Sequence, residues 1–180
     1  MRIIQKDTAA LMVDIQERLL PAVDCAEQTL DSAIRLIKGL DILQIPLIPI
    51  RQYPQGLGDF PPELWEVLKG LQPLDKTTFS AWEEPKIAEK IRSLDKKNLL
   101  VFGMEAHVCV QQTVIDLLSE GFSVVVIVDC ITSRCFHDKK IALRRLEQEG
   151  ALLATSESIL FELLRKSGTE TFKKISTLVK

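Results

Sequence analysis

Apolar positions along this chain follow two alternating rhythms. Thr8 to Val13, Asn98 to Phe102 and Ser123 to Val128 are short, nearly unbroken apolar runs, as expected of strands buried on both faces. Ile45 to Ile50 is similar, but Pro46 and Pro49 lack backbone donors, so its pairing is restricted there. Leu152 to Ala154 offers a short fifth strand and Gln72 to Lys76 a sixth.

The segments between them carry a longer period. Cys25 to Gln44 repeats Ala26, Leu30, Ala33, Ile34, Ile37 and Leu40 close to every 3.6 residues, which predicts a helix with one apolar face. Pro85 to Leu94 opens with a proline suited to a first helical turn. Gln112 to Leu118 and Ser133 to Gln148 are followed by Gly121 and Gly150, which favour helix ends. Ser156 to Leu164 reads as a short helix capped by Ser156. The tail, Thr169 to Lys180, places Phe172, Ile175 and Leu178 at helical spacing, a stripe for packing on its own domain or on a second copy. Strands alternating with helices imply a parallel sheet covered on both faces. The working site of such a sheet lies outside the carboxyl ends of its strands. Tyr53 to Pro62, rich in Pro and Gly, reads as a loop over the site or at a subunit contact.

The 180 residues suit one domain spanning 1–180 with a full core. A hydrophobic share of 46% and a charged share of 27% are those of a soluble globular protein. The net charge is −2 and no basic stripe is visible, so neither nucleic acid nor a membrane is an expected partner. The N-terminus lacks a secretory h-region, and Cys25, Cys109, Cys130 and Cys135 show no zinc-type spacing. These features point to reduced thiols in the cytoplasm.

Three positions carry candidate chemistry. Gly103 to Val110 follows an apolar strand and leads into a helix, which puts Cys109 near the helix N-terminus. Free N–H groups and the helix dipole favour a thiolate there, so Cys109 should alkylate faster than the other three cysteines. Packing is the alternative for a free cysteine. Asp14 ends the first strand and could exchange a proton with a thiol, or cap the turn Gln16 to Arg18. Lys76 ends a strand before Thr77-Thr78-Phe79-Ser80 and could hold both groups, or pair with Asp75 on the surface. Glu105 with His107, and His137 with Asp138, lack the helical spacing of a zinc site. Asp129 and Arg134 read as loop anchors.

Together Val13-Asp14-Ile15-Gln16, Lys76-Thr77-Thr78-Phe79-Ser80, Val128-Asp129 and Gly103 to Val110 resemble the isochorismatase-like cysteine hydrolases over almost the whole chain. The chain is most similar to the isochorismatase domain-containing proteins, through Asp14 to Arg18, Gln52-Tyr53-Pro54 and Glu105 to Thr113. The resemblance implies a three-layer α/β/α Rossmann-like sandwich around a parallel sheet of about six strands. It also implies an Asp14–Lys76–Cys109 triad and a cis peptide at Met104-Glu105 that turns the Glu105 N–H toward the site. With the Cys109 N–H, that group would form an oxyanion hole.

Nicotinamidases carry an Asp-x-His metal site where this chain has Arg51-Gln52-Tyr53, so no metal and no cofactor are expected. Gln16, Gln52, Tyr53, Phe79 and His107 are the candidate substrate contacts. The implied activity is hydrolysis of a small amide-like C–N substrate through a Cys thiolate and a covalent intermediate. A catalytically silent binding or scaffold member, vinyl ether hydrolysis by Asp acid catalysis, and a thiol redox sensor are the alternatives. Likeness to the family also implies a homo-oligomer.

Overall fold

The computed structural model describes residues 2–180. Six strands form one parallel sheet: β1 (Thr8–Val13), β2 (Leu47–Gln52), β3 (Leu74–Lys76), β4 (Asn98–Met104), β5 (Ser123–Thr132) and β6 (Leu152–Ala154). Their order across the sheet is β3-β2-β1-β4-β5-β6, so the chain reverses its direction of travel between β1 and β4. Helices α1 (Ala26–Ile42), α2 (Pro54–Leu57), α3 (Pro62–Leu68), α4 (Pro85–Ser93), α5 (Gln111–Ser119), α6 (Phe136–Gln148), α7 (Ser156–Leu164) and α8 (Glu170–Leu178) complete the fold.

Every residue of β1 and β4 is buried, as their unbroken apolar runs require. The prolines of β2 mark where pairing changes. Pro46 and Ile50 offer their carbonyls to Ala10 of β1 and to Asp14 just beyond it, so even-numbered residues face β1 and odd-numbered ones face β3. Pro49 therefore turns its donorless nitrogen toward β3, and pairing with β3 starts only one residue later, at Ile50 and Leu74.

Beyond shifted ends, with β2 running to Gln52, β5 to Thr132 and α6 starting at Phe136, two features differ from the sequence reading. Tyr53 to Pro62 is not one irregular loop: it holds α2 and the start of α3, each opened by a proline in its first turn. The N-cap of α7 is Thr155, which exchanges hydrogen bonds with Ser158 in a capping box. Ser156 is instead buried, giving its N–H and hydroxyl to the Asp129 carboxylate. That contact ties β5, which runs past Asp129 to Thr132 rather than ending there, to the start of α7. In the tail, Ile175 is fully buried and Phe172 lies 6.3 Å from Phe161 of α7, so part of the stripe packs on its own fold. No described helix is long and apolar enough to cross a membrane.

Candidate active site

β1 and β4 flank the reversal of strand order, where open α/β sheets place their ligands. Asp14 follows the last residue of β1, Lys76 ends β3, and Cys109 lies in a π-helical turn, Ala106–Val110, between β4 and α5. Asp14 adopts φ 54°, a left-handed conformation uncommon for a residue with a side chain. Its side chain and that of Lys76 are both fully buried and meet at 2.8 Å.

The Lys76 ammonium is surrounded by acceptors. It donates to Asp14 Oδ2, to Gln52 Oε1 at 2.5 Å, and to the carbonyls of Phe79 at 3.1 Å and Thr78 at 3.3 Å. These oxygens take the place of water around the buried nitrogen. Asp14 Oδ1 has no hydrogen-bond partner. Burial pushes the Asp14 carboxyl up, and the Lys76 charge offsets part of that rise.

Cys109 is 7% exposed, and its Sγ stands 3.9 Å from Gln52 Oε1. Burial, followed by the Asp14 charge, raises the thiol to about 12, against an opposing pull from Lys76. This favours a thiol at rest. It runs against the thiolate expected from a helix N-terminus, because loss of water around the sulphur opposes the anion more than the Lys76 charge favours it. Cys25 and Cys135 are exposed, whereas Cys109 and Cys130 are buried.

The turn bearing the sulphur is held at two points by the loop after β5. His107 Nδ1 lies 2.9 Å from Ser133 Oγ. Glu105 accepts three hydrogen bonds from Arg134, from its backbone N–H, Nε and Nη2. Those bonds hold the Glu105 carboxyl below its ordinary range, as the guanidinium stabilises the anion. The Met104-Glu105 peptide bond is cis.

The family model for the isochorismatase domain matches residues 8–158. Isochorismatase domain-containing protein 2 of Bos taurus is 37% identical over 180 residues, 99% of this chain and 86% of that protein. This chain belongs to the isochorismatase family. Isochorismatase domain-containing protein 1 of Salmo salar is 35% identical over 99% of this chain and 62% of its own length. Among solved structures, MAR1 ribonuclease from Caenorhabditis elegans has a TM-score of 0.93 and 36% identity, covering 99% of this chain and 92% of that one. YcaC from Pseudomonas aeruginosa, solved with hexane-2,5-diol and covalent acrylamide, has a TM-score of 0.91 and 25% identity, covering 98% and 91%.

Within this isochorismatase-family fold, the candidate residues separate into two groups. Asp14, Lys76, Gln52 and Cys109 converge. Tyr53 and Phe79 are about half exposed, on the segments that follow β2 and β3. Gln16 does not face a ligand: it is fully buried, donates to the carbonyls of Gln52 and Gly58, and accepts from the Gln52 N–H. It pins the end of β2 and the turn after α2. Arg51, the first residue of the Arg51-Gln52-Tyr53 string, pairs with Asp59 and Asp75. Sequence reasoning did not foresee the Glu105–Arg134 pair, because the two are 29 residues apart and β5 must run its full length to join them. Among the described residues, no group of three or more His, Cys, Asp or Glu side chains could hold a metal ion.

Proposed function

We propose that this protein is a metal-independent cysteine hydrolase of small amide-like C–N substrates. The observation that carries the reading is the buried convergence of Asp14, Lys76 and Cys109 at the strand ends. Because the resting sulphur is a thiol, attack begins with loss of its proton. The S–H bond breaks as the sulphur adds to the carbonyl carbon, and the proton passes to the Asp14 carboxylate, whose Oδ1 is unpartnered. Burial has already raised the proton affinity of Asp14, which suits it to receive this proton and then pass it to the leaving nitrogen. Lys76 balances the Asp14 charge throughout.

The Glu105 and Cys109 N–H groups are the proposed donors to the oxyanion. The Glu105 carbonyl is already engaged by the N–H groups of Val108 and Val110, which steadies that segment. Tyr53, Phe79 and His107 are the proposed substrate contacts. Water then cleaves the thioester. The setting is proposed to be cytoplasmic and the protein a homo-oligomer of this one domain.

RNA is a poorer fit, although a C. elegans neighbour is called a ribonuclease. The net charge is −2, and the Lys76 ammonium is enclosed by protein oxygens. A panel of primary amides, ureas, vinyl ethers and an RNA oligonucleotide tests the reading. Amide turnover that disappears in Cys109→Ala supports it. Vinyl ether turnover that needs Asp14 and survives Cys109→Ala would replace it with acid catalysis.

A further inference from the structure

We infer that Gln52 is a positioning residue for the Cys109 thiol: its amide oxygen, fixed by the Lys76 ammonium, accepts the S–H and keeps the resting sulphur protonated. The inference rests on Cys109 being the nucleophile proposed above. Gln52 would then belong to the machinery rather than to the substrate contacts.

The amide has one orientation. Nε2 donates to the Thr77 carbonyl at 2.9 Å, which can only accept, and Oε1 faces Lys76 Nζ at 2.5 Å, which can only donate. A flipped amide would lose both bonds and set an N–H against an ammonium. The Gln52 main chain is fixed as well, through its N–H to Gln16 Oε1 at 2.7 Å. At 9% exposure, the side chain has little water to turn into.

This leaves one oxygen serving two donors, the ammonium and the thiol 3.9 Å away. A carbonyl oxygen can accept from both, having two lone pairs. The consequence for the sulphur has a definite sign. A hydrogen bond accepted from S–H stabilises the neutral form, whereas a thiolate in its place would face the negative end of the amide dipole. The charged groups acting on the sulphur are Asp14 from β1, which also disfavours the anion, and Lys76 from β3, which favours it. His107, on the same turn, is directed to Ser133. Gln52 from β2 thus presents one acceptor oxygen to both the cation and the sulphur, and at the sulphur that oxygen favours the thiol.

Peptide-resolved alkylation of the full chain by iodoacetamide, between about pH 7 and pH 9, tests this without any substrate. Gln52→Met removes the acceptor, and Cys109 should then alkylate about tenfold faster at each pH, the effect of a thiol pKa lowered by about one unit. Gln52→Glu keeps an acceptor and adds negative charge, so Cys109 should alkylate several-fold more slowly. Cys25 and Cys135, both exposed, should keep their wild-type rates, and buried Cys130 should stay unreactive. A Cys109 rate in Gln52→Met equal to or below wild type, with Cys130 still protected, overturns the inference. If Gln52→Met exposes Cys130, the Gln52→Glu rate decides: slower supports the inference, unchanged or faster overturns it. Failure of the hydrolase reading is seen separately, as turnover that survives Cys109→Ala.

Discussion

Gly103 runs so close to Val13 that a Cβ on it would lie 1.9 Å from the Val13 carbonyl oxygen. The two residues are paired across β1 and β4, immediately before Asp14 and the turn that carries Cys109. Gly103 also has φ 126°, a conformation that side chains disfavour. Gly103→Ala should therefore cost about 3 kcal/mol or more, because the obstacle is backbone rather than a movable side chain. Urea unfolding checks it, and a loss below about 1 kcal/mol would mean that the strands can separate cheaply at the site.

Removing Lys76 should harm stability more than removing both partners of its pair. Lys76→Met leaves the Asp14 carboxylate buried with no counter-charge, an arrangement that typically costs about 3–5 kcal/mol. The double variant Asp14→Asn with Lys76→Met should regain a large part of that loss. Equal unfolding midpoints for the single and double variants would show that the two groups are not energetically coupled.

Much of this architecture is legible in the sequence, for reasons that also explain the gaps. β1, β6 and α7 match the expected ranges residue for residue, because buried strands and capped helices announce themselves in consecutive residues. α2 and α3 were hidden by prolines, which signal a turn and a first helical position equally well. Asp14, Lys76 and Cys109 stand out because each ends or follows a strand. The tasks of Gln16 and Gln52 do not, since a glutamine that binds main chain and one that faces a ligand look alike in sequence. The thiol at Cys109 was unreadable for the same reason. Its helix-end position is local, but the burial that outweighs it comes from the whole fold.

That burial has a pH signature. The folded Cys109 thiol is raised from 9.0 to about 12, so above pH 9 the unfolded chain releases a proton that the folded chain retains. Stability conferred by a raised group is present at lower pH and lost as pH climbs through this window, at about 1 kcal/mol per pH unit. Cys109→Ala should flatten the decline in unfolding free energy between about pH 9 and pH 11 by that amount. Buried Cys130, also raised, should leave a residual slope. An unchanged slope would place the Cys109 thiol near its ordinary value.

The Glu105–Arg134 pair gives the opposite sign. Hydrogen bonds from Arg134 hold the Glu105 carboxyl below its ordinary 4.5, so its contribution is present above that value and lost as pH falls through the folded one. Arg134→Met should remove the side-chain share of this component and leave the backbone bond, making the loss of stability between about pH 5 and pH 3 smaller than in wild type. The same acid slope in both proteins would show that the pair does not steady the turn beneath Cys109.

The central claim is that Cys109 attacks as a thiol deprotonated by Asp14. Intact-protein mass spectrometry of acid-quenched turnover, on an amide found to be a substrate, tests it most directly. Wild type should carry one acyl group, mapped to Cys109, and Asp14→Asn should form it about a hundredfold or more slowly at neutral pH. Full turnover with no adduct at any quench time, together with unimpaired activity of Cys109→Ala, would contradict the account.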